Sequence, residues 1–371
     1  MESYWIALLF TVFFSWVLTS RNVKCGYLQY GKVTFNRVAI SFLPLFLVAL
    51  FRWNVGVDVV YGTGYYFQEY TAIQAGRGNI LGYEIGFYLL MEICNALHMN
   101  LYLFYCVVTT IFFALFYKYL TENSKNIVLC AIIFFTSDLY LFTFSTLRQS
   151  LGIAFFLYPL TEIINRRKFL KNWKWWVCTG IAISMHISIM YLIVVLLLSR
   201  VKFRKKTVLY ITILGCGLSP LIQVLLSKIL SFTIYFKKYF GSNEFRIEFT
   251  PTYFLIALLI FIPVYFYYDK IIKEGENNYI LVNVSAFVVV LMLNSQVLVM
   301  PYRIFPLFVP VYLILCSKLV ACLRRSRIIK VLTCVYLIVP FLFLFINQYY
   351  IGGGSDVFVY KSIFQFMNQI W

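Results

Sequence analysis

Charge is scarce in this chain, and negative charge is scarcest. Only 12% of its 371 residues are charged, with 14 Asp and Glu against 32 Lys and Arg. A soluble domain carries roughly a quarter charged residues, so a soluble globular protein is excluded. Histidine is nearly absent, with two in the whole chain, and no DxD or paired-carboxylate motif stands in any basic loop. No metal constellation and no cofactor site is therefore expected. No GxxxxGK[ST] loop is present to cradle nucleotide phosphates. The nine cysteines form no CxxC and no dense cluster. Cys94, Cys106, Cys130 and Cys216 lie inside apolar runs, which reads as core packing rather than disulfide or zinc chemistry. No repeat, low-complexity tract or separate basic domain is apparent. The net charge of +18 is accordingly not a nucleic-acid signal. The start, MESYWIALLF, lacks a positive leader and a small-residue cleavage site, and reads as a retained first helix.

What fills the chain is apolar. Hydrophobic residues make up 62% and mean hydropathy is +0.83. Many continuous runs approach the roughly 20 residues needed to span a bilayer. Their backbones must be satisfied internally, and continuous rather than alternating runs select helices over a barrel. The expected fold is one all-α polytopic membrane domain with about 10–12 transmembrane helices. Six short loops (20–37, 118–126, 165–174, 200–206, 269–278 and 318–330) hold 23 of the 32 Lys and Arg. Lys and Arg beside spans mark the cytoplasmic side, so these loops are expected inside. Segment 53–100, the tail 347–371 and both termini are then expected outside. Within 53–100, residues 83–98 place Glu84, Glu92, Asn95 and His98 on one helical face, as an interfacial helix does.

His186 lies in the middle of an apolar run, 175–199, flanked at both ends by five-cation clusters. Each arm has about 12 residues, or roughly 18 Å of helix, against a hydrocarbon core of about 30 Å. A re-entrant pair with His186 at its turning point fits both the lengths and the charges. An ionisable group at membrane depth is a functional candidate, and an imidazole suits a general base.

Three further features lie on the expected outer side. NVGVDVVYGTGYYFQEY, from Asn54, surrounds Asp58 and Glu69 with Tyr61, Tyr65, Tyr66 and Tyr70, the materials of a saccharide-binding surface. Its glycines argue for a shaped loop rather than a plain helix. Arg148 in STLRQSLG and Arg303 in MPYRIFP are solitary outer arginines, held against the orientation bias. An arginine fork matches phosphate oxygens bidentately, so the two together suit one pyrophosphate.

These elements, VGVD at 55–58, YEIGF at 83–87, LRQSLGIAFFLY at 147–158, SMHISIMYL at 184–192 and YRIFPLF at 302–308, resemble in order and spacing the EpsG-like branch of the Wzy polysaccharide polymerases. Val57 and Val59 depart from that pattern, where a small hydroxyl residue and an aromatic are common. The resemblance implies inverting, metal-independent glycosyl transfer on the outer face of a bacterial inner membrane. It implies undecaprenyl-pyrophosphate-linked glycans as donor and acceptor, with membrane lipids and a chain-length regulator as partners. On this reading Arg148 and Arg303 hold pyrophosphate, His186 acts as base or orients the acceptor, and Asp58 positions either. Gln149, Glu84, Tyr61 and Tyr65 complete the expected substrate-binding set. A lipid-linked glycan flippase and a membrane O-acyltransferase are the alternatives.

Overall fold

A computed structural model describes residues 1–19, 27–30, 33–78, 84–165, 169–231, 251–275, 277–295, 301–323, 326–351, 357 and 359–365. The cations Arg166, Arg167 and Lys168 and most of the tail after 351 lie outside the described residues. The fold is helical and polytopic, as expected. Among the described residues four helices are long and apolar enough to cross a membrane, or six if two bent pairs each count as one span. Shorter apolar helices accompany them. The β structure among the described residues is one antiparallel hairpin, β1 (Tyr27–Tyr30) with β2 (Val33–Asn36).

The chain divides into two bodies. The first comprises residues 1–190 and 345–371. It contains α1 (Glu2–Thr19), α2 (Arg37–Leu50), α3 (Tyr65–Gln74), α4 (Ile85–Ala96), α5 (Leu101–Asn123), α6 (Ile127–Thr136), α7 (Leu139–Ser145), α8 (Leu147–Asn165) and α9 (Trp173–Met185). Asparagines start several of these helices by accepting otherwise unpaired first-turn N–H groups. Asn36 caps α2, Asn100 caps α5, Asn126 caps α6 and Asn172 caps α9. Large apolar side chains remain exposed along α1, including Leu9, Phe13 and Trp16, as contact with lipid tails requires. Polar side chains join helices inside. Asn123 of α5 donates to Thr161 Oγ1 of α8 at 2.9 Å and accepts from Asn165 at 3.1 Å.

The apolar run 127–144 is broken. α6 and α7 meet at 48°, because Asp138 adopts a left-handed conformation with φ 73°. The buried Asp138 carboxylate accepts hydrogen bonds from the Tyr349 hydroxyl and from Gln348 Nε2. Residues 361–363 lie antiparallel to 51–53. Trp53 N–H donates to Lys361 O at 2.8 Å and Ile363 N–H to Phe51 O at 2.9 Å. From this pairing the Arg52 side chain turns inward and is buried. Its guanidinium donates to Ala49 O, to Thr109 Oγ1 at 2.9 Å and to Thr143 O, and it stacks 4.5 Å from the Phe144 ring.

The second body, residues 191–344, holds most of α10 (Ile189–Leu198), then α11 (Lys205–Gly217), α12 (Ser219–Ser231), α13 (Pro251–Phe266), α14 (Tyr268–Lys273), α15 (Asn278–Leu293), α16 (Pro301–Cys322) and nearly all of α17 (Arg327–Ile346). The apolar run 208–227 is bent by 73° between α11 and α12, beside Gly217. Asn283 on α15 ties down the chain after α10 by donating to Ser199 O at 3.0 Å and Val201 O at 2.8 Å. α16 is almost entirely buried, whereas α17 exposes Val331, Leu332, Val335 and Val339 along one side.

Candidate functional site

The site is assembled in the first body from four chain segments. Gly56, Gly62 and Gly76 all adopt positive φ, so the glycines after Asn54 do shape a loop. The loop is shorter than expected, because α3 begins at Tyr65 directly after Gly64. Gly64 is required there: a Cβ on it would meet Val60 N at 2.5 Å and Asp58 O at 2.9 Å. α3 buries Tyr66, Glu69, Tyr70 and Ile73. That leaves Tyr65 at the surface, 38% exposed.

α4 buries Phe87, Met91 and Cys94 and leaves Ile85, Leu89 and Ile93 exposed. At 12 residues it is about 18 Å long, short of a bilayer crossing. Glu84 occupies its N-cap position but caps no backbone N–H. The carboxylate instead turns toward α8, where Oε2 accepts from Arg148 Nη1 at 2.7 Å. Oε1 faces His186 Nε2 at 3.8 Å. All three side chains are largely shielded, at 18% exposure for Arg148, 8% for Glu84 and 15% for His186.

Close packing makes this meeting possible. Gly86 lies against α9, and a Cβ there would stand 2.2 Å from Ser184 Oγ and 2.9 Å from Ser184 Cβ. The small residue of YEIGF thus lets α4 approach α9 closely, carrying Glu84 to His186. Gly152, in LRQSLG, does the same between α8 and the turn after His186: its Cβ would meet Ile189 Cγ1 at 3.0 Å and Ala182 O at 3.2 Å.

Aromatic rings flank the arginine. The Arg148 guanidinium lies 5.1 Å from the Tyr65 ring centre and 5.9 Å from that of Tyr66. Its backbone N–H donates to the Tyr66 hydroxyl at 3.4 Å. Burial pushes that phenol's pKa up, Arg148 opposes the shift, and Asp58 adds to it. Asp58 lies half-buried nearby, in a 3-10 turn at Val57–Val59. Arg148 is held by Glu84 at one prong only, and its Nε is buried without an acceptor among the described residues. Behind the cluster Tyr66, Phe87, Phe104, Leu147 and Met185 form one apolar core, which fixes the positions of these side chains.

α9 ends where the sequence places the turning point. His186 is extended at φ −159° and its N–H closes α9 on Ala182 O at 3.2 Å. Its Nδ1 accepts from Ser188 N–H at 3.1 Å, and α10 begins at Ile189.

Of the expected site residues, Arg148, Glu84, His186 and Tyr65 come together, with Asp58 behind Tyr66. Tyr61 packs on Trp53 at 5.5 Å and on Phe67 at 4.6 Å. Gln149 points into the protein with 1% of its surface exposed. Arg303 lies in the second body, half-buried in the first turn of α16, 5.8 Å from the Tyr302 ring. The parts not foreseen are Gly86, the Tyr66 hydroxyl on the Arg148 backbone N–H, and the Ser188 N–H on the imidazole.

No curated protein and no solved structure matches this chain. One family model, described as the EpsG family, matches residues 37–364 and so contains every segment of the cluster just described. This multi-pass membrane protein, with its suggested link to polysaccharide polymerisation, belongs to the EpsG family.

Proposed function

We propose that this protein joins saccharide repeat units carried on a polyprenyl pyrophosphate, undecaprenyl pyrophosphate in bacteria, into a polysaccharide. The transfer is inverting and metal-independent, and it takes place on the outer face of the inner membrane. The observation that carries this reading is the convergence of Glu84, Arg148 and His186, from three separate motifs, beside an exposed tyrosine. Leaving pyrophosphate develops negative charge, which a preorganised guanidinium stabilises. Arg148 fits that task because its fork has donors beyond the one given to Glu84. The acceptor hydroxyl must lose a proton, for which a carboxylate and an imidazole are at hand. Tyr65 offers a ring face to a sugar.

The test is the lipid-linked pool of a deletion strain. A polymerase mutant accumulates single repeat units on the outer leaflet. Intermediates trapped on the cytoplasmic face would identify a flippase instead, and full-length polymer lacking acyl groups an O-acyltransferase.

A further inference from the structure

Both nitrogens of His186 face protein groups. Nδ1 accepts the Ser188 N–H at 3.1 Å, and Nε2 faces Glu84 Oε1 at 3.8 Å. A neutral imidazole carries one proton, and the nitrogen that accepts an N–H cannot be the one holding it. The proton is therefore on Nε2, directed at Glu84. A protonated nitrogen donates; it cannot take a proton from a substrate hydroxyl. Moving the proton to Nδ1 would set two donors head to head. The turn resists that change, since Ile189 N–H is bonded to His186 O at 3.3 Å and Met190 N–H to Ile187 O at 3.0 Å.

We propose, resting on the polymerase reading, that Glu84 is the base for the acceptor hydroxyl and His186 is its positioning residue, an Nε2–H donor that orients the carboxylate. This moves the role of base away from the histidine, where the sequence alone places it. Glu84 Oε2 is engaged by Arg148, and each carboxylate oxygen has capacity for two hydrogen bonds, so the hydroxyl approaches Oε1 beside the imidazole. In the step, the hydroxyl proton passes to Glu84 and the acceptor oxygen forms the new bond to the anomeric carbon. The bond from that carbon to the pyrophosphate oxygen breaks, and its electron pair leaves on the lipid pyrophosphate. One negative charge thus moves from Glu84 to the leaving group. Arg148, no longer paired with a carboxylate, is released to the pyrophosphate as the charge arrives there. Glu84 returns its proton to water when product departs. The same ion pair accordingly serves proton removal and leaving-group stabilisation.

Among the described residues, Glu84 faces Arg148 from α8 and His186 after α9, with Tyr65 and Tyr66 of α3 beside the guanidinium. Two measurements on the full-length protein in lipid nanodiscs test the assignment. The first is the nitrogen-15 spectrum of histidine-labelled protein above the imidazole titration. Only His98 and His186 contribute, and His98→Asn separates them. The Nε2–H tautomer is expected for His186, and the Nδ1–H tautomer overturns the proposal whether or not the protein elongates glycans. The second is elongation of a lipid-linked repeat unit across pH, using variants of matched thermal stability. Glutamine at 186 can accept from Ser188 and donate to Glu84, so His186→Gln should stay within about 10-fold of wild type and keep the acidic limb of the profile. Glu84→Gln should lose about 10²–10⁴-fold, as removal of a general base does. Loss of the acidic limb in His186→Gln, or inactivity equal to that of Glu84→Gln, overturns the proposal. A wild-type protein that elongates nothing overturns the polymerase reading and the proton step with it, while the spectrum still decides the tautomer.

Discussion

Replacing Gly86 by alanine adds one methyl group and should disable the site. Judged locally the change is favourable, because alanine is better than glycine in a helix by about 1 kcal/mol. The contact with α9 reverses the sign. The new Cβ would stand 2.2 Å from Ser184 Oγ, 2.9 Å from its Cβ and 3.0 Å from its carbonyl carbon. Rotating the serine side chain relieves only the first of these. Carbon atoms rest at about 3.5–4.0 Å, so α4 must withdraw from α9 by roughly half an ångström or more. Overpacking of this kind costs about 1–3 kcal/mol, which outweighs the helix gain. The withdrawal also opens the 3.8 Å gap between Glu84 and His186. Misplacement of a reacting group by about 1 Å is worth about 10²-fold in rate, so a loss of about 10- to 100-fold is expected. The assay is elongation by purified protein, with thermal unfolding measured on the same samples. Ser184→Gly removes two of the three clashing atoms and should restore much of the rate in the double variant. Wild-type elongation and stability in Gly86→Ala alone would refute the argument, since no close approach would then be limiting.

Further expectations follow from other contacts. Arg148→Lys and Arg303→Lys should each lose most polymer at unchanged protein level, because lysine keeps the charge but not the planar fork; polymer of normal yield from both would show that no guanidinium is required. Asn283→Ala should lower stability by about 1–3 kcal/mol by leaving the buried Ser199 carbonyl without its amide donor, read as a drop in Tm with substrate affinity little changed. Single cysteines at 170 and 204 should both be labelled only from the cytoplasm, and labelling from opposite sides would exclude a chain that enters and returns at His186.

The helical membrane class was legible because it rests on composition and long apolar runs, which no tertiary contact can reverse. The break at His186 was legible for a related reason. Flanking charges and arm length demanded a turn, and the structure interrupts the helix there. The breaks at Asp138 and beside Gly217 were hidden inside runs that read as continuous. A single left-handed residue leaves no mark on hydropathy. Among site residues, Arg148, Glu84 and His186 stood out as polar groups in apolar surroundings. Their pairing did not, because Arg148 and Glu84 are 64 residues apart and nothing local in either segment marks the other as its partner. Gln149 looked as available as its neighbour, but one step along a helix rotates a side chain by about 100°, and it faces the core. Arg52 escaped notice altogether. It stands at the end of an apolar helix, where a cation reads as an orientation signal, yet it is buried on carbonyls and a phenylalanine ring.

The first body is built from both ends of the chain, and this sets an order on its biogenesis. Asp138 and its partner Tyr349 are separated by 211 residues. At about 5–20 residues per second of synthesis, the carboxylate waits about 10–40 s for the hydroxyl that satisfies it. Throughout that interval the nascent protein holds an unsatisfied carboxylate while the second body is made. A ribosome that stalls between 191 and 344 therefore leaves the first body without the Tyr349 hydroxyl that satisfies its buried carboxylate.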